Sequence, residues 1–289
     1  MTDIELQHIN FIYGEGTPFV HQALCDVSLR FQGGMITGLM GHTGSGKSTL
    51  VQLLNGLLRP ESGKILLDGK DIWEDPRQIR SVRFRVGLVF QYPEYQLFEE
   101  TVEKDIAFGP KNMDLPDEEI AQRVRNAMAF VGLGEEYLNK SPFELSGGQK
   151  RRVAIAGIMA MEPEVLILDE PAAGLDPMGR EEILGGVWSY QRKKGNTVII
   201  VSHSMEDMAR YADRLAVMEH GRLILNGSCA EVFRETETLT KSGLDVPQIT
   251  RLAAKLRERG LDLPQDIYTV DTARDAIVAL YRKQKGDRA

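Results

Sequence analysis

The stretch "GHTGSGKST", Gly41 to Thr49, sets three glycines ahead of a lysine and two hydroxyls, and its reading decides the fold. Gly41, Gly44, Gly46, Lys47 and Ser48 satisfy the phosphate-loop pattern GxxxxGK followed by Ser or Thr. Glycine permits backbone angles and close approach that a Cβ obstructs, so several N–H groups can converge on phosphate oxygens. The flanks suit this purpose: "MITGLM" (35–40) reads as a short buried strand, and "STLVQLLNGLL" (48–58) has helical composition. Such a helix turns its positive end toward the anion. Lys47 is expected on the β and γ phosphates and Ser48 on magnesium, with His42, Thr43, Ser45 and Thr49 completing the loop around the nucleotide.

Outward from the loop, "IELQHINFIY" (4–13) and "ALCDVSLRF" (23–31) read as strands joined by the turn-rich "GEGTPF", an antiparallel arrangement. "GKILLDGKDI" (63–72) reads as a further hairpin arm and "VGLVF" (86–90) as a core strand. From about 101 to 161 charged and apolar residues mix at helical spacing, which predicts a helical insert. Within it Asp117 is expected to cap a helix whose apolar face is Ile120, Val124, Ala127 and Met128. Strand patterns return in "VLILD" (165–169), "TVIIVSH" (197–203), "RLAVMEH" (214–220) and "RLILNG" (222–227), with a crossover helix between the first two.

"VLILDE" buries a strand and delivers Asp169 and Glu170 to its carboxyl end, where open α/β sheets build their sites. Asp169 is expected to act on magnesium through a coordinated water, and Glu170 to accept a proton from the attacking water or orient it. His203, closing another strand at the same edge, can contact the γ phosphate or hold Glu170 in position. "LSGGQ" (145–149) sets Ser146 and two glycines before the helical run "KRRVAIAGIMA", a second N–H-rich helix start. It is either a plain cap or an anion cradle. One nucleotide is already held by residues 41–48, so a second cradle implies a second molecule, each copy completing the other's site.

The ordered set resembles the ATP-binding cassette family from about residue 3 to residue 227: "GHTGSGKST" as Walker A, Gln91 as the Q-loop glutamine, "LSGGQ" as signature and "VLILDE" as Walker B. "GLD" (174–176) follows as the D-loop and His203 as the switch histidine. The resemblance implies an α/β fold: a P-loop NTPase core of cassette type with an antiparallel β subdomain, a helical subdomain and a small C-terminal helical extension (228–289). It implies that two cassettes enclose two ATP molecules, each between the Walker motifs of one chain and Ser146, Gly147, Gly148 and Gln149 of the other. Tyr13 is implied to stack on adenine, Gln91 to sense magnesium and the attacking water, and Asp176 to couple the two sites.

"VFQYPEYQLFEETVEKDIAFGPKN" (89–112) and "GLDVPQITRLAAKLRERG" (243–260) further resemble the ATPase subunits of energy-coupling-factor transporters, and "HTGSGKST" (42–49), "YPEYQLFEETV" (92–102) and "YGEGTPFVHQAL" (13–24) more closely resemble the second of two paralogous ATPases that pair as a heterodimer. The partners implied are that paralogue, a transmembrane scaffold and, through the complex, a substrate-capture membrane subunit for vitamins or transition metals. The resemblance implies no direct contact with cargo, and places the chain peripherally on the cytoplasmic face of a prokaryotic membrane. An ATPase of a conventional binding-protein-dependent importer is the alternative. Tyr92, Tyr95, Leu97 and Phe98 suit docking of a partner helix, with packing beneath the insert competing for Leu97 and Phe98. Glu94, Glu99 and Glu100 either meet a partner's arginines or form a solvated face. In the C-terminal segment Ile249, Leu252, Ala253 and Leu256 share one helical face, and Ala273, Ile277 and Leu280 another. The first is expected to contact the other ATPase, with folding back on its own cassette as the alternative.

Bulk properties agree. The 289 residues, 42% apolar, can bury a sizeable core, and a formal charge of −7 weighs against an extended nucleic-acid surface. Cys25 and Cys229 stand far apart with no ligand pattern nearby, which fits a reducing compartment. No apolar run reaches the roughly 18 residues that span a bilayer, so a membrane connection is expected to run through a partner. A chromosome-clamp function is disfavoured because no heptad run separates Lys47 from Leu145, and the single set of motifs disfavours the two-cassette translation proteins.

Overall fold

The computed structural model describes residues 1–286. In chain order the elements are β1 (Ile4–Tyr13), β2 (His21–Phe31), β3 (Ile36–Met40), α1 (Lys47–Leu54), β4 (Ser62–Leu67), β5 (Lys70–Asp71), α2 (Ile79–Arg85) and β6 (Val86–Val89). Then come α3 (Val102–Asn112), α4 (Asp117–Phe130), α5 (Gly147–Met159), β7 (Val165–Asp169), α6 (Pro177–Lys194), β8 (Thr197–Val201), α7 (Met205–Tyr211) and β9 (Arg214–Glu219). β10 (Arg222–Ser228), α8 (Cys229–Arg234), α9 (Thr236–Lys241), α10 (Gln248–Glu258) and α11 (Val270–Gly286) close the described chain.

Two sheets organise these elements. One is antiparallel in the order β2-β1-β4-β5; the other runs β10-β9-β3-β8-β7-β6. In the second, β9, β3, β8, β7 and β6 are parallel, and only β10 is antiparallel to its neighbour. Strands β3, β7 and β8 are buried along their whole length, as a parallel sheet covered on both faces requires. Their side chains alternate between two cores. Leu39, Ile167, Ile199 and Val201 join α1 and the antiparallel sheet, while Ile36, Leu168, Val198 and Ile200 join the helical insert, α6, α7 and α8. Each fully buried Leu or Ile contributes about 1.5–3 kcal/mol, which fixes the register that sets the strand ends.

Those ends position the site. β3, β8, β7 and β6 are adjacent, so the segments after them emerge together at one edge, carrying residues 41–49, His203, Asp169 with Glu170, and Gln91.

The insert follows its pattern, with Ile120, Val124, Ala127 and Met128 buried along α4. The cap differs. Pro116 occupies the N-cap position and Asp117 is the first helical residue, where Asp117, Glu118 and Glu119 together favour the positive helix end. α1 also stops earlier than its composition suggests, because Gly56 at φ 70° takes the left-handed conformation that terminates a helix. β8 ends at Val201, so His203 lies in the turn before α7 rather than in the strand.

At the C-terminus, Cys229, Val232, Phe233, Leu239, Leu244 and Val246 belong to the same core as the helical insert. α10 and α11 form a satellite cluster around Ala253, Leu263, Ile267 and Ala273, with Ile249, Leu256 and Leu280 packed against it. Leu252 and Ile277, expected on those apolar faces, are exposed instead. Among the described residues no helix is long and apolar enough to cross a membrane.

Candidate nucleotide site

A cavity of about 450 Å³ opens at the strand edge, lined by Tyr13, His21, Ala23, Thr43, Gly44, Gly46, Lys47, Ser48, Thr49, Gln91, Asp169, Glu170 and His203. Gly41 and Ser45 shape the loop from behind it. A Cβ on Gly41 would collide with the Met218 carbonyl oxygen, and Ser45 is fully buried. Gly46, at φ 99°, starts α1 without a side-chain cap, which leaves first-turn N–H groups for a ligand; a Cβ there would meet the Ala23 carbonyl oxygen at 2.6 Å. By contrast, nothing lies within 4 Å of a Cβ built on Gly44, which faces open space. His42 turns aside, its Nδ1 2.7 Å from the Thr43 carbonyl oxygen and its ring edge-on to His220 at 5.2 Å.

Lys47 is held by its own loop: Nζ donates to the carbonyl oxygens of Gly41 and His42, both at 2.8 Å. Burial lowers its pKa, against the opposing pull of Glu170 and Asp169. Ser48 Oγ donates to Asp169 Oδ2 at 3.0 Å. Burial pushes the Asp169 carboxyl above the usual range and the neighbouring Glu170 adds to this, while the Ser48 hydrogen bond and Lys47 oppose it. Glu170 follows in the left-handed region at φ 49°, its N–H donating to the Val201 carbonyl oxygen at 3.0 Å. There Glu170 Oε1 lies 2.8 Å from His203 Nδ1, so the imidazole fixes the carboxylate's direction.

Tyr13, edge-on to Phe11 at 4.8 Å, brings its hydroxyl 3.2 Å from Thr49 Oγ1 at the cavity's other end. His21 and Ala23 line the same wall and were not singled out by sequence. The available signal was the hairpin, whose antiparallel register sets His21 directly opposite Tyr13.

Ser146, Gly147, Gly148, Gln149 and Asp176 do not line this cavity. Ser146 caps α5 in a reciprocal box: Gln149 N–H donates to Ser146 Oγ at 3.3 Å and Ser146 N–H donates to Gln149 Oε1 at 3.0 Å. Gly147 and Gly148 are exposed, with nothing within 4 Å of an added Cβ. Asp176 is exposed too and caps α6 through the Gly179 N–H at 2.7 Å.

A second cavity, about 600 Å³, lies beyond Gln91 between the insert and the core. Leu97, Phe98, Phe108, Val153, Ala154, Ile158 and Met161 supply its apolar lining, and Arg80, Arg83 and Asp105 are its charged groups. Of the residues expected to be displayed here, Leu97 is buried in the core. Phe98 is exposed and stands edge-on to Phe108 at 4.9 Å, and Tyr92 and Tyr95 are exposed. Glu94 corrects the sequence reading: it faces Arg151 of its own chain, accepting from Nη2 at 2.9 Å and Nε at 3.1 Å. Glu100 pairs with Lys104 four residues on.

The ABC transporter family model matches residues 24–173. The energy-coupling factor transporter ATP-binding protein EcfA2 of Caldanaerobacter subterraneus subsp. tengcongensis is 54% identical, the match covering 98% of this chain and 99% of that one. Its namesake from Clostridium tetani is 52% identical, over 97% and 98%. Among solved structures, cbiO1 from Clostridium perfringens, part of the ABC transporter complex cbiONQ, is similar at TM-score 0.73 and 42% identity, covering 88% of this chain and 98% of that one. The dimeric ATP-binding cassette MJ0796, in a post-hydrolysis state with ADP and Pi, is similar at TM-score 0.71 and 27% identity, over 78% and 98%.

Proposed function

Since the chain belongs to the ABC transporter family, among the energy-coupling factor ATP-binding proteins, we propose that it hydrolyses ATP in a head-to-tail pair with a paralogous ATPase. The pair drives uptake of vitamins or transition metal ions through a transmembrane scaffold. The observation that carries the pairing is the split between the two anion-facing helix starts. Lys47, Ser48, Asp169, Glu170, Gln91 and His203 line one cavity, whereas Ser146, Gly147 and Gly148 are exposed outside it. A nucleotide seated on α1 therefore meets an α5 start only if a second chain brings one.

Within the cavity the N–H groups at the start of α1 and the Lys47 ammonium hold the phosphates. The Ser48 hydroxyl, the Asp169 carboxylate and the Gln91 amide are hard oxygen donors lining the same cavity, the first two 3.0 Å apart, a set that fits magnesium. Ser48, Asp169 and Gln91 would hold the ion, which would supply charge neutralisation for the phosphates. The Glu170 carboxylate, aimed by His203, takes a proton from the water whose oxygen forms the new bond to the γ phosphorus as the bond to the β-γ bridging oxygen breaks. ADP and phosphate leave. The apolar cavity beyond Gln91, with Phe98 and Phe108 on its wall, receives a helix of the scaffold. The exposed Leu252 provides contact with the paralogous ATPase.

Glu170→Gln tests the assignment. It removes the proton acceptor and keeps the shape, so turnover of the assembled transporter should fall about 100- to 10,000-fold while ATP stays bound and the closed pair accumulates. Phosphate release and gel filtration with the paralogue read both effects. Turnover at the wild-type rate rejects the role given to Glu170.

A further inference from the structure

Among the described residues Arg151 is one of three buried charged side chains, at 5% exposure, and its contacts join three segments, of which α5 and the turn after Gln91 also pack on each other. Its guanidinium grips Glu94 with two hydrogen bonds, donates through Nη1 to the Ala173 carbonyl oxygen, and lies 5.8 Å from the centre of the Tyr92 ring. Burial works to raise the Glu94 pKa, but the Arg151 hydrogen bonds, a backbone N–H and the Arg151 charge together outweigh it and hold the carboxyl below its usual value. A buried, doubly bonded ion pair of this kind costs desolvation. It is weak evidence for stability alone, and its use is better sought in fixing a geometry.

Each of the three segments reaches the nucleotide cavity or its complement. Glu94 lies three residues after Gln91, which lines the cavity, and two before Gln96, which lines the apolar groove. Ala173 lies three residues after Glu170, and its N–H donates to the Glu170 carbonyl oxygen at 3.1 Å. Arg151 itself sits on α5 between Ser146, the helix cap, and Val153, Ala154, Gly157 and Ile158, which line the groove. The loop from Gln91 to Phe98 thus runs from the nucleotide cavity to the groove, the helix from Ser146 to Ile158 runs from the exposed α5 start to the same groove, and the ion pair pins them to each other midway.

We infer that Arg151, through Glu94 and the Ala173 carbonyl, is a positioning residue that makes these two segments move as one unit. Whatever seats in the groove then shifts Gln91, the Glu170 turn and Ser146 together. This deepens the reading of the groove as a docking site and rests on it. Arg151 touches no reacting atom; it acts through the segments it ties.

Glu94→Gln keeps the shape and removes the charge; Arg151→Lys keeps the charge and removes the two-pronged geometry. In the transporter assembled with its membrane partners, each variant should lower kcat about 10-fold with KM for ATP changed less than about 2-fold, and the double variant should equal either single one. In the isolated chain ATP affinity stays near wild type and the melting temperature falls, because Glu94→Gln leaves a buried guanidinium without its carboxylate, while hydrogen exchange rises together at residues 91–98 and at 146–151. Unchanged exchange in both segments overturns the proposal, as does a loss of kcat matched by an equal loss of ATP affinity, which is the mark of a merely structural pair. If the wild-type assembly itself fails to hydrolyse ATP, the transport reading falls, and the exchange result on the isolated chain still decides the role of Arg151.

Discussion

Two helices of this chain begin at glycine-rich turns, and they leave their first N–H groups in opposite states. α1 starts at Gly46, left-handed and without a side-chain cap, beside a half-buried lysine and two carboxylates. α5 starts at Ser146 and satisfies two of its donors internally through the box with Gln149. The four N–H groups at a helix start are equivalent in principle, so what differs is who satisfies them. At α1 the fold reserves them for a ligand and surrounds them with charge. At α5 the chain covers part of its own need and leaves Gly147 and Gly148 to whatever arrives. On the proposed function, the first turn binds a nucleotide by itself, whereas the second gains a role only when another chain presents one.

The sharpest way to break this contrast is Lys47→Ala. The substitution removes the cation proposed to meet the phosphates and also the two hydrogen bonds that hold the loop at Gly41 and His42. A charge-assisted hydrogen bond is worth about 1.5–3 kcal/mol, so the Kd for ATP in the isolated chain should rise roughly 10- to 150-fold. Calorimetric titration measures it. An unchanged Kd would mean that α1 is no more ready for anion than α5.

Asp169→Asn should separate function from stability at the same site. Burial places the Asp169 carboxyl above its ordinary range, so the folded chain still holds this proton at pH values where the unfolded chain has released it. The associated stability is present below the unfolded pKa and is lost as pH rises through the folded one. At neutral pH the ionised, buried carboxylate is therefore a burden on the nucleotide-free chain. Replacing it with the neutral amide should raise the melting temperature by roughly a few degrees while abolishing magnesium-dependent hydrolysis. Thermal scans at acid and neutral pH check the sign: the gain should shrink as the pH falls.

The comparison also shows what a sequence exposes. Strand-loop-helix order around residues 35–58 is legible because each part is local: a buried apolar strand, glycines in fixed spacing, then a helical run. The same holds for Asp169 and Glu170 at the end of β7 and for the buried face of α4. What stayed hidden depends on contacts between distant segments. Glu94 and Arg151 are 57 positions apart, and nothing in either local pattern distinguishes an internal ion pair from solvated charge. His21 needed the hairpin register before its place beside Tyr13 could be read. Leu252 and Ile277 fit an apolar face by periodicity, yet the buried positions of the satellite cluster are taken by Ala253, Leu263, Ile267 and Ala273, leaving both exposed.

Ser146→Ala gives the smallest effect and the finest test of the contrast. It breaks one half of the capping box, because the Gln149 N–H loses its acceptor, and a lost serine cap costs about 1 kcal/mol of stability. Because Ser146 is outside the cavity of its own chain, the Kd for ATP in the isolated chain should stay within about 2-fold of wild type. In the proposed pair the same residue would face the partner's nucleotide, so hydrolysis by the partner's site should fall while this chain's own cavity stays competent. A paralogue carrying an inactive cavity of its own makes the two sites separable. If Ser146→Ala weakens ATP binding in the lone chain as much as it slows the pair, the two helix starts serve one nucleotide within a single molecule and the contrast between them disappears.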